Sequence, residues 1–159
     1  MPVSASDLLE LCRRKRQRLA TAESCTGGMI AARLTDIAGS SDVFERGFVT
    51  YSNEAKVEML GVALPLIARA GAVSEEVARA MAEGAIARSR ADIAVAVTGI
   101  AGPGGATPAK PVGLVHIACA QRDRWTVHER HVFAGDRAAI RAATVEAALA
   151  LVARLVESA

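Results

Sequence analysis

Aromatic side chains are scarce, with Phe44, Phe48, Tyr51, Trp125 and Phe133 the only five in 159 residues. So few rings cannot build a series of stacking platforms for nucleobases, and a net charge of +2 gives no broad basic footprint. The run Arg13-Arg14-Lys15-Arg16-Gln17-Arg18 keeps a nucleic-acid-binding module as a rival, although cations at a helix end suit the dipole by themselves. Cysteine is equally sparse. Cys12, Cys25 and Cys119 have neither paired nor metal-ligand spacing, which excludes a disulfide framework and leads us to expect a cytoplasmic protein. His116, His128 and His131 form no zinc pattern, so no metal and no cofactor is expected. No apolar run approaches the ~20 residues that cross a bilayer, and no signal-peptide core is present near Met1, so no membrane partner is expected.

Lysine is the most informative scarcity. Only Lys15, Lys56 and Lys110 are lysines among the 19 basic residues, so a chain that writes arginine almost everywhere has kept lysine at 56. Arginine cannot lose its proton near neutral pH, and lysine can. In Phe48-Val49-Thr50-Tyr51-Ser52-Asn53-Glu54-Ala55-Lys56, Ser52 or Asn53 reads as an N-cap. Lys56 then falls in the first helical turn, where the dipole disfavours a cation and favours a base with a depressed pKa. Tyr51, the only tyrosine, ends the preceding apolar run and can present its hydroxyl to the same cleft.

Two glycine-rich corners accompany this segment. Ala22-Glu23-Ser24-Cys25-Thr26-Gly27-Gly28 follows the apolar run from Leu19 and precedes a helical pattern of Met29, Ile30, Leu34 and Ile37, with Thr26 or Gly27 as N-cap. Backbone N–H groups that converge there can hold an oxyanion or a phosphate, and Ser24 keeps a free hydroxyl just outside the helix. A packed and capped turn is the ordinary use of such a segment. The second corner follows the β-branched run Ile93 to Val97, and its Thr98-Gly99-Ile100-Ala101-Gly102-Pro103-Gly104-Gly105 lies where ligands of α/β sheets bind, beyond a strand's carboxyl end. Neither a P-loop nor a dinucleotide fingerprint is present.

Six ordered motifs, Ala22 to Gly28, Asp36 to Ser41, Phe44 to Lys56, Gly71 to Glu75, Thr98 to Pro103 and Lys110 to Gly113, resemble the CinA C-terminal domain family over nearly the whole chain. The resemblance implies an amidohydrolase that converts nicotinamide mononucleotide to nicotinate mononucleotide and ammonia, in the stand-alone form without the N-terminal domain of longer members. It places the nucleophile on Ser24, with Tyr51 and Lys56 as activating partners and Ser41 and Thr98 in the surrounding site. Backbone N–H groups from Cys25 through Thr26 to Gly27 are expected to hold the oxyanion. Those of Gly102 and Gly104, with Arg137 and Arg141, are expected to hold the phosphate. Two alternatives remain beside it, a non-catalytic nucleotide-binding relative and an amidase using Cys25, whose thiol pKa a helix end would lower.

The expected architecture is α/β, one three-layer α/β/α domain over residues 1–159 with a mixed sheet. Helices are expected at about Ala5–Arg16, Gly27–Asp36, Asn53–Leu60, Leu64–Ala70 and Ser74–Ser89, and strands at about Arg18–Glu23 and Glu45–Ser52 and from Asp92. A hairpin of Val112–Gln121 and Arg124–Phe133 and a long helix over Arg137–Glu157 close the chain, and a homo-oligomer is expected.

Overall fold

The computed structural model describes residues 2–159. Six helices, α1 (Ala5–Arg14), α2 (Met29–Thr35), α3 (Asn53–Leu60), α4 (Leu64–Ala70), α5 (Glu75–Ala87) and α6 (Arg137–Glu157), enclose five strands. The strands are β1 (Leu19–Glu23), β2 (Phe44–Val49), β3 (Ile93–Gly99), β4 (Leu114–Gln121) and β5 (Val127–Val132). Their order is β2-β1-β3-β4-β5, with β2, β1 and β3 parallel and β4 and β5 antiparallel additions. This is the expected mixed sheet of a three-layer domain.

Residue size assigns the layers. In β3 the side chains alternate Ile93, Val95, Val97 against Ala94, Ala96, and all are fully buried. The larger set packs with Leu8, Leu9, Ile30, Leu34, Leu149 and Val152, so α1, α2 and α6 cover that face. The alanine set, with Ala20, Ala22, Ala118 and Ala120, meets Val77, Met81 and Ala85 of α5, and small side chains let that helix approach closely.

Several boundaries fall inside the expected ones. α1 stops at Arg14 because Lys15 caps it and Arg16 turns to φ 55°. β2 gives out at Val49, β4 begins only after Gly113 at φ 95°, and β5 only at Val127, beyond a turn with Asp123 at φ 64°. The N-cap of α2 is Gly28 at φ 108°, not Thr26 or Gly27, and it offers no side-chain cap. A 3₁₀ turn at Ser40–Asp42 leads into β2. No helix among the described residues is long and apolar enough to cross a membrane.

The chain leaves β1 towards β2 on one side, while β3 lies on its other side. A crevice therefore opens beyond the carboxyl ends of β1 and β3, the position in which open α/β sheets bind ligands.

Candidate active site

Strand alternation sends neighbouring side chains to opposite faces, so Glu23 points towards α2 and Ser24 towards α3. Helix α3 starts on Ser52, whose hydroxyl accepts from the Ala55 N–H at 3.0 Å. That cap directs Lys56 into the protein, where it is 1% exposed. Its Nζ lies 3.0 Å from Ser24 Oγ and donates to the Thr50 carbonyl at 3.0 Å. No carboxylate bonds it among the described residues. Burial holds its pKa below the ordinary lysine value, with the nearby Cys25 sulfur opposing weakly. A neutral amine that donates to Thr50 keeps a lone pair for the Ser24 proton.

Ser24 and Lys56 line a cleft of about 230 Å³ with Tyr51, Thr98 and Arg137. Thr98 sits at the end of β3, and its hydroxyl donates to the Ala72 carbonyl at 2.8 Å, tying the segment before α5 to the cleft wall. An adjoining cavity of about 680 Å³ shares Ala101 and Arg137 with the cleft and is also lined by Arg141. That volume is in the range of small-molecule sites, ~300 to 1,000 Å³.

Other expected site residues sit differently. Tyr51 lies two residues beyond the end of β2, is 62% exposed, and its hydroxyl accepts from Arg137 Nη2 at 2.9 Å; it bonds neither Ser24 nor Lys56. Arg137 also donates to the Gly102 carbonyl at 2.9 Å, so at φ 77° Gly102 turns its C=O towards α6. Gly104 is exposed and lines neither cavity. Ser41 is exposed in the turn before β2, and the parallel register pairs that end of β2 with Leu19, the far end of β1 from Ser24. It does not join the site. The Thr26 hydroxyl is spent on Glu23 at 2.5 Å, and the Gly27 N–H on the Ser24 carbonyl at 3.0 Å. Arg141 spends Nε and Nη2 on the carbonyls of Cys25 and Thr26. Cys25 packs into the core, and burial pushes its thiol up to about 11 instead of down. This removes the local reason for a cysteine nucleophile.

Sequence reasoning missed Glu23 and Asn53. Fully buried Glu23 fills the start of α2, accepting from the N–H groups of Ile30 and Ala31 at 2.9 and 3.1 Å. Its signal was a carboxylate closing an otherwise uncharged buried strand just before a helix. Asn53 opens α3 and lines the cleft, whereas its sequence position suggests only a possible cap.

The family described as CinA C-terminal domain matches residues 3–156. A CinA-like protein of Akkermansia muciniphila is 56% identical over 142 residues, 88% of this chain and 34% of the relative. The chain thus spans about a third of the curated relatives it matches. The crystal structure of competence/damage inducible protein CihA from Agrobacterium tumefaciens is 50% identical with a TM-score of 0.88, covering 98% of this chain and 99% of that one. Competence damage-inducible protein A (ComA) from Klebsiella pneumoniae is 38% identical with a TM-score of 0.88, covering 96% of both chains.

Proposed function

Because the chain belongs to the CinA C-terminal domain family, we propose that it is an amidohydrolase that converts nicotinamide mononucleotide to nicotinate mononucleotide and ammonia through a Ser24 acyl-enzyme. The observation that carries the reading is Lys56 Nζ, buried with no carboxylate bonded to it among the described residues and 3.0 Å from Ser24 Oγ. A structural lysine in that position would demand a counter-ion, whereas a general base works best neutral.

In the proposed reaction Ser24 Oγ attacks the carboxamide carbon while Lys56 Nζ takes the hydroxyl proton. The carbonyl oxygen, now negative, is held by the N–H groups of Cys25 and Thr26, which have no acceptor in the chain among the described residues. Lys56 returns the proton to the amide nitrogen, the C–N bond breaks, and ammonia leaves. Water then attacks the ester, its proton passing through Lys56 back to Ser24. Arg137, which borders both cavities, is the cation best placed for the phosphate. A small-molecule substrate and a homo-oligomeric, cytoplasmic protein belong to the same proposal.

The test is purified protein with nicotinamide mononucleotide and an ammonia readout. Release of ammonia with equimolar nicotinate mononucleotide is expected. Folded protein that releases none overturns the reading.

A further inference from the structure

The carbonyls and amides of the turn after β1 are used unequally. The Ser24 carbonyl accepts from the Gly27 N–H at 3.0 Å. The Cys25 carbonyl accepts from Arg141 Nε at 3.0 Å, and the Thr26 carbonyl from the Met29 N–H at 3.0 Å and Arg141 Nη2 at 3.2 Å. All three carbonyls are occupied, while the N–H groups of Cys25 and Thr26 find no acceptor among the described residues. In a trans peptide the N–H points opposite to the preceding carbonyl. With the Cys25 carbonyl pinned towards Arg141, the Thr26 N–H is turned away from α6. Gly27 fixes the Cys25 N–H in the same way through the Ser24 carbonyl.

Glu23 works from the other side of the turn. Its Oε1 takes the Thr26 hydroxyl and the Ile30 N–H, and its Oε2 takes the Ala31 N–H. An acceptor-only carboxylate therefore fills the place at the start of α2 where an external anion would otherwise sit.

We propose that Glu23 and Arg141 are positioning residues that clamp the Ser24–Gly28 turn from two sides and hold the Cys25 and Thr26 N–H groups as the oxyanion-binding pair. The proposal rests on the serine amidohydrolase reading above. It gives Arg141 a positioning role in place of the phosphate-binding one, its Nε and Nη2 being held on the Cys25 and Thr26 carbonyls.

The test compares wild type with Arg141→Ala, Arg141→Lys and Glu23→Gln, each checked by its melting curve. Three quantities are measured: kcat and KM for nicotinamide mononucleotide, Kd for nicotinate mononucleotide, and Ki for the mononucleotide carrying an aldehyde in place of the carboxamide. The aldehyde captures the oxyanion: the Ser24 Oγ–carbon bond forms, the carbonyl electron pair moves to oxygen, and the hydroxyl proton goes to Lys56. Misplacing an oxyanion donor should lower kcat by about 10- to 100-fold. Aldehyde affinity should fall by the same factor, while product Kd stays within about twofold of wild type, because only the tetrahedral adduct uses the pair. Arg141→Lys, which keeps a cationic donor group but loses the rigid fork that reaches both carbonyls, should fall between wild type and Arg141→Ala. Unchanged aldehyde affinity would make the clamp merely structural and overturn the proposal. A parallel loss of product affinity would restore Arg141 as a phosphate ligand and overturn it equally. Wild type that neither turns over nor binds the aldehyde sinks the amidohydrolase reading first, whereas active wild type with indifferent variants sinks only the clamp.

Discussion

Lys56 Nζ is held between Ser24 Oγ and the Thr50 carbonyl, 3.0 Å from each, at a position 1% exposed. Because burial lowers the lysine pKa, the neutral form that the proposed reaction needs is reached at lower pH than for a free amine. The kcat/KM for nicotinamide mononucleotide should rise with pH through an apparent value below 10.5, one belonging to the coupled Ser24 and Lys56 pair. Lys56→Arg retains charge and loses the base, so it should be about as inactive as Lys56→Met, roughly 10³-fold or more below wild type. An arginine variant with near-normal turnover would reduce Lys56 to an electrostatic partner.

Tyr51 and Arg137 make a different pair. The Tyr51 hydroxyl accepts from Arg137 and touches neither Ser24 nor Lys56. Tyr51→Phe should therefore loosen Arg137 and raise KM several-fold, with a smaller effect on kcat. Arg137→Ala should raise KM for the mononucleotide about tenfold more than KM for the dephosphorylated riboside, since a charge-assisted bond is worth ~1.5 to 3 kcal/mol. Steady-state kinetics on both substrates decide this. A Tyr51→Phe variant that loses kcat and keeps KM would return Tyr51 to the proton-transfer step.

The layering was legible because each buried strand carries its own pattern, in size where polarity is uniform, as Ile93, Val95 and Val97 alternate with alanines. That Ser24, Lys56 and Thr98 share one cleft was legible because Ser24 follows β1, Thr98 lies at the end of β3 before its loop, and Lys56 sits in the first turn of α3. What stayed hidden is pairing across distance. Arg141 meets the Cys25 carbonyl 116 residues away, and nothing at position 141 distinguishes a clamp from a surface cation. Ser41 misled because a motif gives sequence neighbourhood, while parallel register decides which end of the sheet a residue occupies.

Gly84 lets α5 cross close to the end of α3, since a Cβ there would run into the carbonyl oxygen of Leu60. Gly84→Ala should cost about 1 to 3 kcal/mol through this backbone clash, although alanine favours helix. Activity should fall as well, because α3 carries Lys56. Gly104→Ala, where a Cβ meets nothing within 4 Å, should leave the melting temperature unchanged. Thermal unfolding of both variants checks the pair, and a Gly84→Ala protein as stable as wild type would mean that α3 and α5 shift apart freely.

His116 on β4 and His128 on β5 are stacked, with Nδ1 of the first 2.8 Å from Nε2 of the second. One nitrogen must donate and the other accept, so a proton on both rings would set two donors face to face. Burial, with His128 and then Arg130 and Lys110 nearby, lowers the His116 pKa from 6.5 to about 4, while Glu75 opposes. Burial lowers His128 too, although Glu75, Glu129 and Glu76 favour its charged form and Arg79 opposes it. A folded-state pKa below the unfolded one means that the unfolded chain binds more protons. The stabilising contribution of neutral His116 is therefore complete above pH 6.5 and is lost as pH falls towards about 4. His116→Gln removes the titrating ring, so its melting temperature should decline less than that of wild type across this window. Measuring both proteins at half-unit steps and low ionic strength checks the prediction. Parallel curves would show that the acid sensitivity of the fold lies elsewhere, in carboxylates such as Glu75 whose pKa is held low by Arg79.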